Sequence, residues 1–205
     1  LRPPGGLLRR VVRHELAEHP AEVDRVSVRR DEDLMLAAGQ GDLDAFEQIV
    51  LRYQAGAWRV AYRFTGDAAE AEDLAQDAFL KILDAASRYK PTATFRTYFY
   101  RVLTRLCIDH RRKKRPVLAD PLPNTPDTAS SPSVQADQAE RDALIQAALN
   151  SLPADYRMAV VLRYFEGLNG AEMAEAMGRS VKAVERLLAR AKSELQPQLR
   201  HLLES

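Results

Sequence analysis

With only one cysteine, Cys107, in 205 residues, the chain has no intrachain disulfide and no cluster of thiolate metal ligands. The four histidines, His14, His19, His110 and His201, are scattered without metal-ligand spacing, so neither a metal nor a cofactor is expected. No apolar run reaches the roughly eighteen residues a transmembrane helix needs, which excludes membrane insertion by a helix. Arg9-Arg10 invites comparison with an export signal, but Arg13, His14 and Glu15 follow before any hydrophobic region forms. A reducing cytoplasm is the expected compartment, and Cys107, between Leu106 and Ile108 on an apolar-periodic stretch, reads as a buried, inert thiol. Segments with β-strand alternation are also missing, which leaves an all-α fold.

Charge of one sign is not in excess either, since the formal net charge is +1. The charges are sorted along the chain, however. Lys and Arg number 7 against 4 Asp and Glu over residues 1–30, 4 against 12 over residues 31–87, 10 against 1 over residues 88–115, and 8 against 8 over residues 142–205. An acidic block followed directly by a basic one predicts two oppositely charged binding surfaces.

Helical periodicity divides the chain into two small domains. A short helical turn around Leu34 to Ala38 precedes a helix from Asp42 to Phe64, in which Phe46, Ile49, Val50, Tyr53, Ala57, Val60, Ala61 and Phe64 recur at core spacing. Thr65-Gly66-Asp67 breaks it, and Asp67 with Glu70 opens a second helix to about Ala86 with Leu74, Ala78, Phe79, Ile82 and Leu83 inward. After the Lys90-Pro91 turn, a third helix runs from Thr94 to Lys114 on Phe95, Tyr98, Phe99, Val102, Leu103 and Leu106. Residues 116–136 hold five prolines and several Ser, Thr and Asp without periodicity, as a linker does. The expected layout is an N-terminal extension over residues 1–30, a helical domain over 31–115, the Pro/Ser-rich linker over 116–136, and a second helical domain over 137–205. That second domain restarts near Asp137 on Leu144, Ala148, Leu149, Leu152 and the run Val160 to Phe165.

Two stretches carry candidate chemistry. From Asn169 to Leu195 the chain reads as a helix-turn-helix: Asn169 with Glu172 forms a capping box, Gly178 supplies a left-handed residue that ends the first helix, and Ser180 caps the second. In that second helix Val181, Val184, Leu188, Ala191 and Leu195 form an inward stripe. Its other face, with Arg179, Ser180, Lys182, Ala183, Arg186 and Arg190, has the small and basic side chains that suit entry into a major groove. The second stretch interleaves cations and rings. Lys90, Arg96, Arg101 and Arg105 alternate with Tyr89, Phe95, Tyr98, Phe99 and Tyr100, a pattern in which cations track phosphates and rings stack on unpaired bases. Phe95 and Phe99 are expected in the core, whereas Tyr98 and Tyr100 are open to either role. Arg111, Arg112, Lys113, Lys114 and Arg115 form a run longer than helix capping needs and are assigned to phosphate contact.

The residues from Ala71 to Ile82, AEDLAQDAFLKI, resemble the D-L-x-Q-[DE]-x-F-L signature of bacterial sigma factors. Thr97 to Leu103 and Ile108 to Arg112 resemble the T-W-L-Y-R-I-A-x-N-x-x-I-D-x-x-R pattern of the extracytoplasmic-function (ECF, group IV) sigma factors, and Leu152 onward resembles that family's second domain. Together these motifs cover residues 31–200 in the family's order. The resemblance implies a promoter-specificity subunit with no catalytic activity of its own. It would place Asp73, Gln76, Asp77 and Leu80 on core RNA polymerase, the basic third helix and the loop Arg88 to Phe95 on a melted −10 element with a flipped base, and the helix-turn-helix on the −35 element. Flipping costs a few kcal/mol, which stacking and phosphate contacts return. The resemblance also implies control by an anti-sigma factor. Where the pattern has Trp and Asn this chain has Tyr98 and Arg105, and the recognition helix reads Ala183-Val184-Glu185-Arg186-Leu187-Leu188, so the promoter sequence does not carry over. Residues 1–30 match nothing in the pattern.

Two other classes compete. A stand-alone helix-turn-helix regulator would use the C-terminal helices but leaves the acidic and basic-aromatic helices without a task. An enzyme acting on nucleic acid would need Asp109-His110 or Asp73/Asp77 as reactive groups. Asp109 and His110 are adjacent on a helix and diverge, while Asp73 and Asp77 share a face with no His or Cys beside them.

Overall fold

The structure, a computed structural model, describes residues 29–114 and 134–204, with side chains over 29–113 and 141–197. Most of the expected N-terminal extension and linker, Arg115, and the side chain of Lys114 therefore lie outside the described residues. Every regular element among the described residues is helical. Helices α1 (Asp31–Gly39), α2 (Leu43–Thr65), α3 (Ala68–Ala85) and α4 (Phe95–Lys114) form the first half, with a 3₁₀ turn at Ala86–Arg88 after α3. Helices α5 (Val134–Ser151), α6 (Ala154–Val160), α7 (Gly170–Met177) and α8 (Val181–Glu204) form the second, with a π turn at Val161–Phe165 after α6.

Local chemistry sets the helix ends. Asp42 accepts from Ala45 N at 3.0 Å and Asp67 from Glu70 N at 2.9 Å, each satisfying a donor that the first turn leaves without an intrahelical partner. The Glu70 carboxylate meets His110 Nε2 at 2.9 Å, tying the start of α3 to the far end of α4. In the first half, Tyr53 of α2 packs between Phe95 and Phe99 of α4, with ring centroids 5.2 and 4.8 Å away, and Phe79 of α3 closes on Phe99 at 5.4 Å. Cys107 is fully buried beneath this layer, and burial pushes its thiol up to about 12.

The two halves share one buried core, with α7 packed along α4 and α5 and α6 packed on α2. At their junction lies Arg157, which is 1 % exposed. Its guanidinium donates to Phe64 O at 2.6 Å, to Asn150 Oδ1 at 2.9 Å, to Asn150 O at 2.6 Å and to Leu152 O at 3.3 Å. Burial, and behind it Arg111, pulls its pKa down to about 10, so it stays charged at neutral pH. Gly66 allows the close approach here. Its φ of +78° is a left-handed conformation, and a Cβ on it would stand 2.9 Å from Asn150 Nδ2.

Two positions depart from the expected core. Leu144 is 42 % exposed, because the faces of α5 that turn inward carry Ile145, Gln146, Ala148 and Leu149 instead. Val181 is 43 % exposed, because it begins α8 beside Gly170, which has no side chain to cover it. Helix α5 begins at Val134, three residues before Asp137.

Replacing Arg157 with Ala would leave the carbonyls of Phe64, Asn150 and Leu152 buried without this donor. The expected loss is about 3 kcal/mol of unfolding free energy. Urea denaturation followed by circular dichroism measures it, and a loss under about 1 kcal/mol would mean that water replaces the guanidinium.

Candidate nucleic-acid interface

The helix-turn-helix forms as its caps dictate. Asn169 Oδ1 accepts from Ala171 N at 2.9 Å and Glu172 N at 3.0 Å, while Glu172 Oε2 accepts from Asn169 N at 2.7 Å, a reciprocal capping box. Gly178 ends α7 at φ +62°, and Ser180 Oγ then accepts from Ala183 N at 3.2 Å to start α8. Val184, Ala191 and Leu195 are buried and Leu188 is half-buried, which fixes the rotation of α8. Lys182, Arg186 and Arg190 are consequently exposed, with Ala183 half-buried among them. Arg179, Ala183, Arg186, Leu187 and Arg190 line a shallow depression on this face. Arg179 pairs with Asp155, and Arg190 donates to Tyr156 Oη at 3.3 Å, so Arg186 and Lys182 are the side chains on this face with no partner among the described residues.

On α3 the acidic face is open. Asp73, Gln76, Asp77 and Leu80 are all exposed, Leu80 by 61 %, while Ala71, Leu74, Ala75, Ala78 and Ile82 hold the helix to the core. Among the described residues no cation pairs with Asp73 or Asp77, and an exposed leucine one turn beyond these carboxylates makes a surface that gains from a partner with both cationic and apolar groups.

The basic-aromatic stretch is divided. Lys90, Arg101 and Arg105 are exposed, as are Arg111, Arg112 and Lys113 along the last turns of α4. Arg105 reaches Asp109 at 3.9 Å on the same helix, a pair worth little in solvent. Tyr89 and Tyr98 are half-buried and pack together with centroids 5.3 Å apart. Burial, with Glu32 behind it, pushes the Tyr89 hydroxyl up to about 12, and that hydroxyl has no hydrogen-bond partner among the described residues. The Arg101 guanidinium stands over the Tyr98 ring at 5.7 Å. Tyr100 behaves differently. It is 3 % exposed, it donates to Glu166 Oε2 across the junction between the halves, and burial raises its pKa. Arg96 is half-buried beside it and donates to the backbone oxygen of Glu166.

Sequence reasoning singles out neither Glu166 nor Arg157 as a functional residue. Arg157 carries one signal, a charge at the edge of the apolar run Met158 to Leu162. Glu166 carries none, because its position depends on the π turn, in which Glu166 N bonds Val161 O at 3.3 Å.

Residues 49–117 match the Sigma-70 region 2 family and residues 142–195 match Sigma-70, region 4. The ECF RNA polymerase sigma factor SigW of Bacillus subtilis is 32 % identical over 174 residues, covering 80 % of this chain and 93 % of SigW. The ECF RNA polymerase sigma factor SigE of Mycolicibacterium smegmatis is 30 % identical over 164 residues, covering 78 % of this chain and 63 % of that longer relative. Among solved structures, CnrH in complex with the cytosolic domain of CnrY is similar with a TM-score of 0.66 at 26 % identity, covering 83 % of this chain and 97 % of CnrH. An all-helical chain that ends in a capped helix-turn-helix and matches both sigma regions in order belongs to the ECF sigma factors, the promoter-recognition subunits of bacterial RNA polymerase.

Proposed function

We propose that three surfaces divide the work of this sigma factor. Asp73, Gln76, Asp77 and Leu80 of α3 dock on core RNA polymerase. Tyr89, Lys90, Arg96, Tyr98, Tyr100, Arg101, Arg105 and the cations Arg111, Arg112, Lys113 and Lys114 hold the opened −10 element. Arg179, Ser180, Lys182, Ala183, Arg186 and Arg190 read the −35 element as duplex. The observation that carries this reading is the separation of exposed charge, with an unpaired acidic face on α3 and unpaired cations on α8. Each suits a partner of opposite sign, a basic protein surface in one case and DNA phosphate in the other. The reading places the chain in group IV and in the cytoplasm, where polymerase and DNA are. It also includes an anti-sigma factor as regulator, in keeping with the CnrY domain bound to CnrH.

The docking face is tested by gel shift with and without core polymerase. The chain should bind promoter DNA weakly alone and tightly with polymerase, and Asp73→Arg or Asp77→Arg should weaken polymerase binding at least tenfold while leaving the thermal midpoint in place. Tight binding of promoter by the chain alone would favour the stand-alone regulator instead.

Replacing Arg111, Arg112 and Lys113 with Ala should lower the affinity of the polymerase complex for all promoters to a similar degree. The slope of log affinity against log salt should flatten by about one unit for each phosphate that is no longer neutralised. Weakening confined to one promoter sequence would contradict a backbone role for this turn.

Arg186→Ala should cost on the order of 1–3 kcal/mol at one base pair of the −35 element and relax discrimination there. Transcription from a panel of single-base −35 variants reads this directly. Unchanged relative activities across the panel would move base reading to Lys182 or another neighbour.

A further inference from the structure

Helix α2 keeps a second apolar face, turned away from the core. Ala45, Ile49, Tyr53, Val60 and Phe64 are buried, whereas Leu51, Ala55, Trp58 and Tyr62, at spacings of four, three and four, share the opposite side. Leu51 is 61 % exposed and Trp58 39 %. Tyr62 is half-buried, and its ring lies flat on that of Trp58, with centroids 4.9 Å apart and planes 6° apart. Glu47, one turn before Leu51, and Asp44, two turns before it, continue the same face. Both are exposed, and their carboxylates have no partner among the described residues.

An aliphatic and aromatic stripe with free carboxylates at one end fits a segment that carries apolar side chains and cations together. This chain holds such a segment at residues 7–16, LLRRVVRHEL. Leu7, Leu8, Val11, Val12 and Leu16 recur there at the spacing of one helix face, with Arg9, Arg10 and Arg13 between them and Glu15 as the one carboxylate. The chain also joins the structure beside the stripe. Arg29 O accepts from Arg52 Nη1 at 2.8 Å, one residue along α2 from Leu51, and the Arg29 guanidinium lies 3.8 Å from Asp42, the cap of α2. Residues 17–28 reach up to about 40 Å when extended. The stripe from Asp44 to Tyr62 is about 27 Å long, so all of it is within reach. A segment tethered this closely has a high local concentration at the stripe, an advantage that a second copy or a separate protein lacks.

We propose that this face of α2 is the docking surface for residues 7–16 of the same chain. The apolar side chains of the segment cover Leu51, Ala55 and Trp58, and its arginines lie beside Asp44 and Glu47.

Trp58 is the only tryptophan of the chain, so its fluorescence reports on the stripe in the full chain without a label. Arg9→Glu with Arg10→Glu and Arg13→Glu should raise the acrylamide quenching constant of Trp58 at least twofold. Asp44→Arg with Glu47→Arg, on two exposed residues, should do the same from the helix side, and the two sets combined should bring quenching back toward that of the unsubstituted chain. Circular dichroism confirms that each variant is folded. Benzoylphenylalanine in place of Ala55 should crosslink to residues 7–16 within one molecule, with a yield independent of protein concentration. Unchanged quenching in both sets of folded variants overturns the proposal. A crosslink that joins two molecules overturns it as well, by making the stripe an interface between copies, and so does one that reaches no residue of the segment 7–16.

Discussion

The buried guanidinium of Arg157 is the constraint around which the two halves are arranged. A charge out of water requires partners, and both terminal nitrogens of this guanidinium find them, chiefly the terminal carbonyls of two helices, while its buried Nε is left without one among the described residues. Phe64 O belongs to the last turn of α2 and Asn150 O to the last turn of α5, groups that a helix C-terminus leaves without intrahelical donors. One cation therefore caps two helices and complements two macrodipoles. Because α2 belongs to the first half and α5 to the second, that capping fixes the halves against each other at one point. The fit is close: Gly66 has no Cβ where Asn150 passes, and Gln146 Nε2 adds a bond to Arg63 O at 3.2 Å.

From that anchor the junction grows more polar toward α4. Near Arg157 it is a capped, buried site. Around Glu166 it is a carboxylate between cations and a hydroxyl, with Oε1 buried and lacking a hydrogen bond. At Arg101 and Glu175 it is an ion pair with both side chains substantially exposed, which contributes little. The strength of the polar contacts thus falls with distance from Arg157, weakest at the exposed pair on α4 and strongest where the helix ends are capped.

Much of this is legible in the sequence because it is local. The capping residues Asp42, Asp67, Asn169 and Ser180 act over three positions, and the αL glycines Gly66 and Gly178 act at one, so each can be read without knowledge of the partner helix. The stripe Val184, Ala191 and Leu195 fixes which side of α8 faces out, and with it the exposure of Lys182 and Arg186. Periodicity cannot decide Tyr98 against Tyr100. Both lie on α4 near the core boundary, and the hydroxyl of Tyr100 is met by Glu166, 66 residues away, over Gly56 of α2. Leu144 and Val181 defeat periodicity for the same reason, since exposure at the edge of a stripe depends on what the neighbouring helix brings.

The three charged surfaces are covered unequally. Asp73, Gln76, Asp77 and Leu80 on α3 are exposed, and so are Lys182 and Arg186 on α8, whereas Arg96 and Tyr100 on α4 are engaged. The acidic face is therefore open to a partner without any movement of the two halves. A partner that bound this face equally well in the closed and open forms would leave the equilibrium between them unchanged. A partner that parted the halves would have to bind the second half in a position that α7 cannot occupy while it rests on α4, so that binding energy is spent on separating Glu166 from Tyr100 and Arg96.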